Sequence, residues 1–196
     1  MGTGGGEILS SLGPFPKHTI ATESYRPNYI LAKKRLKKLG VRVVEHRNST
    51  KGRMPFSHGE FDLVLNRHDA FNLREVHRIL APGGTFLTQQ VGGGNLKDLT
   101  KNFHCSQKYN GFSSWSIKKG LANAGFSIKY AKEWKGKREF KDVGAVVYFL
   151  KAIPWIVPGF NVRTHARYLQ KLQNDADRGE RLIFTEVRYL ALSKKT

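Results

Sequence analysis

Phe61-Asp62-Leu63-Val64-Leu65-Asn66-Arg67-His68 reads as a strand, a continuous apolar run that ends in polar residues. A run of that kind suits a strand covered on both faces. Leu73, Val76 and Leu80 then recur at helical spacing, Pro82-Gly83-Gly84 marks a turn, and residues 85–91 read as another strand. Strand, helix and strand at this spacing form a parallel unit whose helix crosses one face of a sheet.

The same alternation runs upstream. Residues 7–12 start a helix that Gly13 and Pro14 stop, and residues 19–22 make a short strand. Pro27 sits where the first turn of a helix tolerates it, and Tyr29, Ala32, Leu36 and Leu39 form an apolar stripe that ends at Gly40. Residues 41–44 read as a strand, and residues 45–55 as a loop too rich in Arg, Asn, Ser and Gly to pack inward. Downstream the pattern loosens. Gly92-Gly93-Gly94-Asn95 is a flexible turn, residues 114–124 a helix stopped by Gly125, 126–133 a strand, 143–153 a helix and 185–192 a final strand. The predicted fold is α/β, a doubly wound, mostly parallel, Rossmann-like sheet. One domain is expected over residues 1–196, with a ligand-binding half at 1–91 and a divergent acceptor-side half at 92–196.

Composition narrows the function. The 34 Lys and Arg against 15 Asp and Glu give a net charge of +19, which favours polyanionic partners, and RNA is a candidate through a basic surface. The basic run Lys33-Lys34-Arg35-Leu36-Lys37-Lys38 alternates with the apolar stripe, so a solvated helix face explains it. Cys105 is the one cysteine, which excludes a disulfide framework and a cysteine-based zinc cluster. The seven histidines show no ligand spacing, so no metal is expected. Residues 143–160 are largely apolar, but Lys151, Pro154 and Pro158 interrupt them, and no membrane partner is expected. No secretory leader is read, and the expected location is cytoplasmic. Phe112, Trp115, Trp134, Tyr148 and Trp155 fit core packing better than the roof of an acceptor pocket.

In doubly wound sheets ligands bind at the carboxyl ends of the strands, so the loops there carry the functional signal. Gly2-Thr3-Gly4-Gly5-Gly6-Glu7 allows tight turning and close approach to a ligand. Glu7 stands where the dinucleotide fingerprint needs a small residue, which disfavours a nicotinamide-dependent oxidoreductase. Glu23, followed by Ser24, ends the next strand at a spacing where a carboxylate can chelate ribose hydroxyls; it could equally support the start of the helix through the macrodipole.

The glycine run resembles the G-x-G-x-G loop of class I S-adenosylmethionine-dependent methyltransferases. Met54-Pro55-Phe56, the strand at 61–65 with its polar end, and Glu75-Val76-His77-Arg78-Ile79-Leu80-Ala81-Pro82-Gly83-Gly84 together resemble the type 11 methyltransferase domain, over about residues 1–91. The resemblance implies S-adenosyl-L-methionine as cofactor. Gly2, Thr3, Gly4 and Gly6 would border its methionine end, Glu23 and Ser24 its ribose, and Asn48, Ser49 and Thr50 its adenine. Asn66, Arg67, His68 and Asp69 would line the floor where the methyl acceptor arrives, with Asn66 and Arg67 also near the cofactor and His68 as candidate base. Gln89 and Gln90 face the same pocket or are ordinary edge polarity. Arg67 and His68 stand where amino-directed nucleic-acid methyltransferases carry prolines, so base amines are less favoured acceptors.

The expected activity is therefore methyl transfer to an unidentified acceptor, a small molecule first. Ribosomal or transfer RNA is the alternative, or a non-catalytic methyltransferase-like protein. In this fold an apolar strand is expected before Gly2, between residues 19–22 and 61–65. Its absence from the sequence leads to the expectation of an N-terminally truncated chain. The unpaired ladders would cost more than the roughly 5–15 kcal/mol that stabilises a domain.

Overall fold

Ala32 and Leu36, two members of the apolar stripe, are fully buried on one side of their helix, and they seat it against a pair of parallel strands. The computed structural model describes residues 1–106 and 113–196. Here α1 (Glu7–Ser10) precedes β1 (Ile20–Glu23), α2 (Arg26–Lys37) and β2 (Arg42–Glu45), and β1 pairs in parallel with β2 from Ile20↔Arg42 to Glu23↔Glu45. Gly40, at φ 74°, supplies the left-handed residue that ends the α2 turn. Next come β3 (Phe61–Arg67), α3 (Leu73–Ile79), β4 (Leu80–Val91), α4 (Lys97–Asn102), α5 (Ser114–Asn123), β5 (Phe126–Phe140), α6 (Val143–Ala152), α7 (Ala166–Asp177) and β6 (Leu182–Lys195). The second sheet runs β3-β4-β6-β5, with β3 and β4 parallel. Among the described residues no strand stands between β1 and β3. Residues 1–3 run there: the Met1 amine donates to Leu65 O at 2.8 Å, and the Thr3 N–H to Thr22 O at 3.0 Å.

The chain folds as two units, one of Met1–Gln90, Trp115–Lys132 and Leu190–Thr196, the other of Val91–Ser114 and Glu133–Tyr189. In the first, Ala21, Val41 and Val43 join the α2 stripe in one cluster, and Val76, Ile79, Leu80, Phe86 and Leu121 are buried around β4. In the second, Leu96, Leu99 and Phe103 pack with Val146, Leu150, Leu169 and Leu172. Asp98 fastens α4 to β6 by accepting from the N–H and hydroxyl of Thr185 at 2.7 and 2.8 Å.

Several expectations change. Val64 and Asn66 are buried, while Leu63 and Leu65 are 52% and 39% exposed, so β3 is covered on one face only, the alternation that a strand's geometry imposes. The turn at 82–84 lies inside β4: the register jumps between Phe61↔Leu80 and Leu63↔Thr85, Gly83 has φ 72°, and a Cβ on Gly84 would stand 2.8 Å from Ala81 O. β5 and β6 extend well past the predicted ends, and α4 and α7 were not predicted. Phe112 lies outside the described residues. Trp115, Trp134, Tyr148 and Trp155 are 51–77% exposed and do not pack in a core.

The loop at 45–55 also packs inward, at Asn48 and Met54. For Met54 the reason is a clamp on α3. Arg78 donates to both Glu75 carboxylate oxygens at 2.8 Å, to Phe56 O at 2.8 Å and to Met54 O at 3.1 Å, while Glu75 accepts the Met54 N–H at 2.7 Å. The Arg78 guanidinium holds the Glu75 carboxyl down to about 2 from 4.5. Arg78→Ala is expected to cost about 1–3 kcal/mol, because it strands a half-buried carboxylate and two carbonyls. A carboxyl with a lowered folded-state value contributes fully above 4.5 and loses that contribution as pH falls toward 2. The difference in melting temperature between wild type and Glu75→Gln should therefore shrink across that window; a constant difference counts against the clamp.

Candidate functional site

Thr22, next to the last residue of β1 and 3% exposed, joins the glycine loop to the loop after β2. Its hydroxyl accepts the Gly2 N–H at 3.4 Å and the Asn48 side-chain amide at 3.1 Å. The same Asn48 nitrogen donates to the Asp69 carboxylate. Asp69 also lies against Gly2, where a Cβ would stand 2.5 Å from the Asp69 Cβ. The glycine loop and the segments after β1, β2 and β3 are thus joined by a few side chains.

Glu23, 6% exposed, takes three backbone donors: Gly4 N–H at 2.7 Å on one oxygen, Ser24 and Tyr25 N–H at 3.0 and 2.8 Å on the other. A carboxylate offers about four acceptor sites, so about one is left for a ligand. Gly2, Gly4 and Gly6 all have positive φ, between 61° and 82°, which glycine adopts without strain. Gly6 is pressed on Leu36 and Ala32, whereas nothing lies within 4 Å of a Cβ on Gly4, so the loop is open at that residue. Arg35 donates to Gly5 O and, at 2.6 Å, to Glu7. One member of the basic helix run is therefore an anchor of the glycine loop; nothing in the local pattern distinguished it from its neighbours.

On the β3 side, Asn66 is buried and accepts from the Thr88 hydroxyl at 3.2 Å and from the Gln90 amide. Gln90 also donates to Asp69 O at 3.0 Å, so Gln90 is part of this network, while Gln89 accepts from Arg67 Nε at 3.0 Å. His68 is exposed and left-handed, with φ 60°, and its N–H donates to Gln89 O at 2.9 Å. Ser24 is exposed, the Ser49 hydroxyl accepts the Gly52 N–H at 2.6 Å, and Thr50 is exposed at the mouth of a separate cavity with Lys51, Asn72 and Arg74.

Among the described residues, two buried side-chain amide atoms have no partner: Asn48 Oδ1 and Asn66 Nδ2. Buried polar atoms left without a hydrogen bond are costly, and Asn48 Oδ1 is suited to accept from a ligand amine. The cluster offers acceptors above all, the Glu23 and Asp69 carboxylates and Asn48 Oδ1, and is acidic in a chain of net charge +19. Among the described residues no group of His, Cys, Asp and Glu could hold a metal ion.

Residues 1–88 match the model of a family described as methyltransferase domain. None of the curated proteins matches the chain in sequence. Solved structures share its fold. A candidate methyltransferase from Bacillus halodurans C-125 is 19% identical with TM-score 0.66, over 99% of this chain and 90% of that one. The YcgJ protein of Bacillus subtilis is 16% identical with TM-score 0.68, over 99% and 89%. Geranyl diphosphate C-methyltransferase from Streptomyces coelicolor A3(2), in complex with Mg2+, geranyl diphosphate and S-adenosyl-L-homocysteine, is 15% identical with TM-score 0.57, over 100% and 69%.

Two alanine substitutions separate the roles of the glycines. Both Gly2→Ala and Gly4→Ala force a side chain into left-handed backbone at about 1–2 kcal/mol. Only Gly2→Ala also drives a methyl into Asp69, so its melting temperature should fall further; equal losses would remove the contact between Gly2 and Asp69 from the account.

Proposed function

We propose that the chain, whose residues 1–88 match a methyltransferase domain, is a class I S-adenosylmethionine-dependent methyltransferase that takes S-adenosyl-L-methionine as its cofactor and methylates a small-molecule acceptor seated over Asn66, Arg67, His68 and Asp69. The observation that carries this reading is the acidic, acceptor-rich cluster around an open glycine turn, with Asn48 Oδ1 buried and unpartnered. The cofactor fits those donors and acceptors: it has hydroxyls for Glu23, an exocyclic amine for Asn48 Oδ1 and a net positive charge at the sulfonium and ammonium end for the carboxylates. When bound, it supplies an electrophilic methyl group.

The protein residues do the positioning. Thr3 and Gly4 hold the loop on Thr22 O and Glu23, so that its turn stays open, and Asp69 fixes the loop after β3 against Gly2. Ser24 would border the ribose, and Ser49 the adenine through its backbone, since the Ser49 hydroxyl is engaged with Gly52. Aligning donor and acceptor supplies much of the rate of a displacement, and a base is needed only where the acceptor carries a proton. His68, exposed at the rim, takes that proton. The acceptor of the Streptomyces enzyme, geranyl diphosphate, is a small molecule, which supports the direction of the proposal. RNA is a second reading, favoured by the net charge of +19; it requires affinity that falls steeply with salt, and a salt-independent affinity overturns it.

Titration with S-adenosylhomocysteine tests the site. Glu23→Ala should weaken binding by roughly 10- to 150-fold, and Asn48→Ala by roughly 2- to 13-fold, the equivalents of a charged and a neutral hydrogen bond. Unchanged affinity in both would sink the assignment. His68→Asn preserves the left-handed backbone. On a methylated acceptor it should lower turnover by roughly 10²–10⁴ and leave cofactor affinity unchanged; unaffected turnover removes His68 as base.

A further inference from the structure

α6, Val143–Ala152, is apolar nearly all round, yet only one side of it is buried. Val146 and Leu150 enter the core of the second unit with Val157, Leu169 and Leu172, and Phe149 packs on Phe140 at 5.2 Å. The outward side shows Gly144, Tyr148, Lys151 and Ala152, and the turn that follows shows Pro154, Trp155 and Pro158. Tyr148 is 77% exposed, Trp155 54% and Val162 41%. A helix apolar on both sides is ordinarily covered on both.

Charge says what covers it. From residue 143 to residue 174 the chain has no Asp or Glu, and Lys151, Arg163 and Arg167 are exposed, while Lys171 pairs with Asp175 at 2.8 Å. Arg163, Arg167 and Lys171 are four residues apart, which places them along one edge of α7 and the residue row leading into it. Lysine is depleted at the centres of protein–protein interfaces, whereas Lys151 stands between Tyr148 and Trp155 in the sequence. Tyrosine, tryptophan and lysine together are the set that gathers at the boundary between lipid headgroups and acyl chains: aromatic rings bury their apolar bodies and keep a polar edge wet, and lysine reaches back to the headgroups. Clustered cations add attraction to anionic lipids. Among the described residues no helix is long and apolar enough to cross a membrane, and the contact considered is from one side.

We propose that the stretch from Val143 to Arg167 docks on an anionic lipid bilayer surface, with Tyr148 and Trp155 entering the headgroup region and Lys151, Arg163 and Arg167 meeting the lipid phosphates. The sequence reading expected no membrane partner, and this peripheral contact departs from it; it does not depend on what the first unit methylates.

Co-sedimentation of the full chain with vesicles tests it, using phosphatidylcholine alone and phosphatidylcholine mixed with phosphatidylglycerol. Wild type should bind the mixed vesicles, bind phosphatidylcholine far more weakly, and detach as salt rises. Tyr148→Ser with Trp155→Ser should weaken binding roughly tenfold or more, and Arg163→Gln with Arg167→Gln roughly fivefold per charge. Both double variants should keep wild-type melting temperature and S-adenosylhomocysteine affinity, which separates a failed docking surface from a failed cofactor site. No binding to mixed vesicles at low salt overturns the proposal. So does binding that survives the aromatic substitutions, which would place the contact on other basic surface, and so does a concentration-dependent dimer that the aromatic substitutions abolish while wild type ignores vesicles.

Discussion

The side-chain nitrogen of Asn48 donates to Thr22 and Asp69, and the order of the whole strand-end region follows from those two bonds. Thr22 belongs to β1, Asn48 to the loop after β2 and Asp69 to the loop after β3, so one amide ties three segments that are distant in sequence. Gly2 fits beneath the knot only because it lacks a Cβ. With the donors of Asn48 spent on the protein, its oxygen is left facing no protein partner, and this leaves an acceptor ready for a ligand.

Electrostatics add to the geometry. A chain with net charge +19 holds Glu23 and Asp69 together at the carboxyl ends of its strands. Three backbone N–H groups converge on Glu23. A local acidic centre inside a basic protein complements a ligand that brings its own positive charge, as the proposed cofactor does, while cations elsewhere favour anions. The bare face of α6 belongs to that second tendency: it is apolar where it meets its own core and aromatic with lysine where it does not.

Much of the first unit was legible in the residues. The α2 stripe, the Gly40 stop, the glycine turn and the placement of Glu23 at a strand end all follow from periodicity and from the few residues able to adopt positive φ. Beyond residue 91 the reading weakened, because β5 carries Lys, Glu and Arg through its length and α7 is amphipathic with few apolar residues; neither presents a run that stands out from a loop. The aromatic residues misled for a related reason. Aromatic content predicts burial on average, and nothing local distinguishes Tyr148, which is exposed, from Phe149, which packs on Phe140.

The sequence by itself determined the kind of fold and the family resemblance, because these rest on short-range patterns: alternation, spacing and glycine at fixed offsets. Tertiary structure alone decided that Arg35 anchors Gly5, that Gln90 holds Asn66 and Asp69, and that Asn48 is the knot of the site. Each of those bonds joins residues more than 20 positions apart, and a hydrogen bond's partner is fixed by where the packed backbone brings two groups within about 3 Å, which no local pattern records.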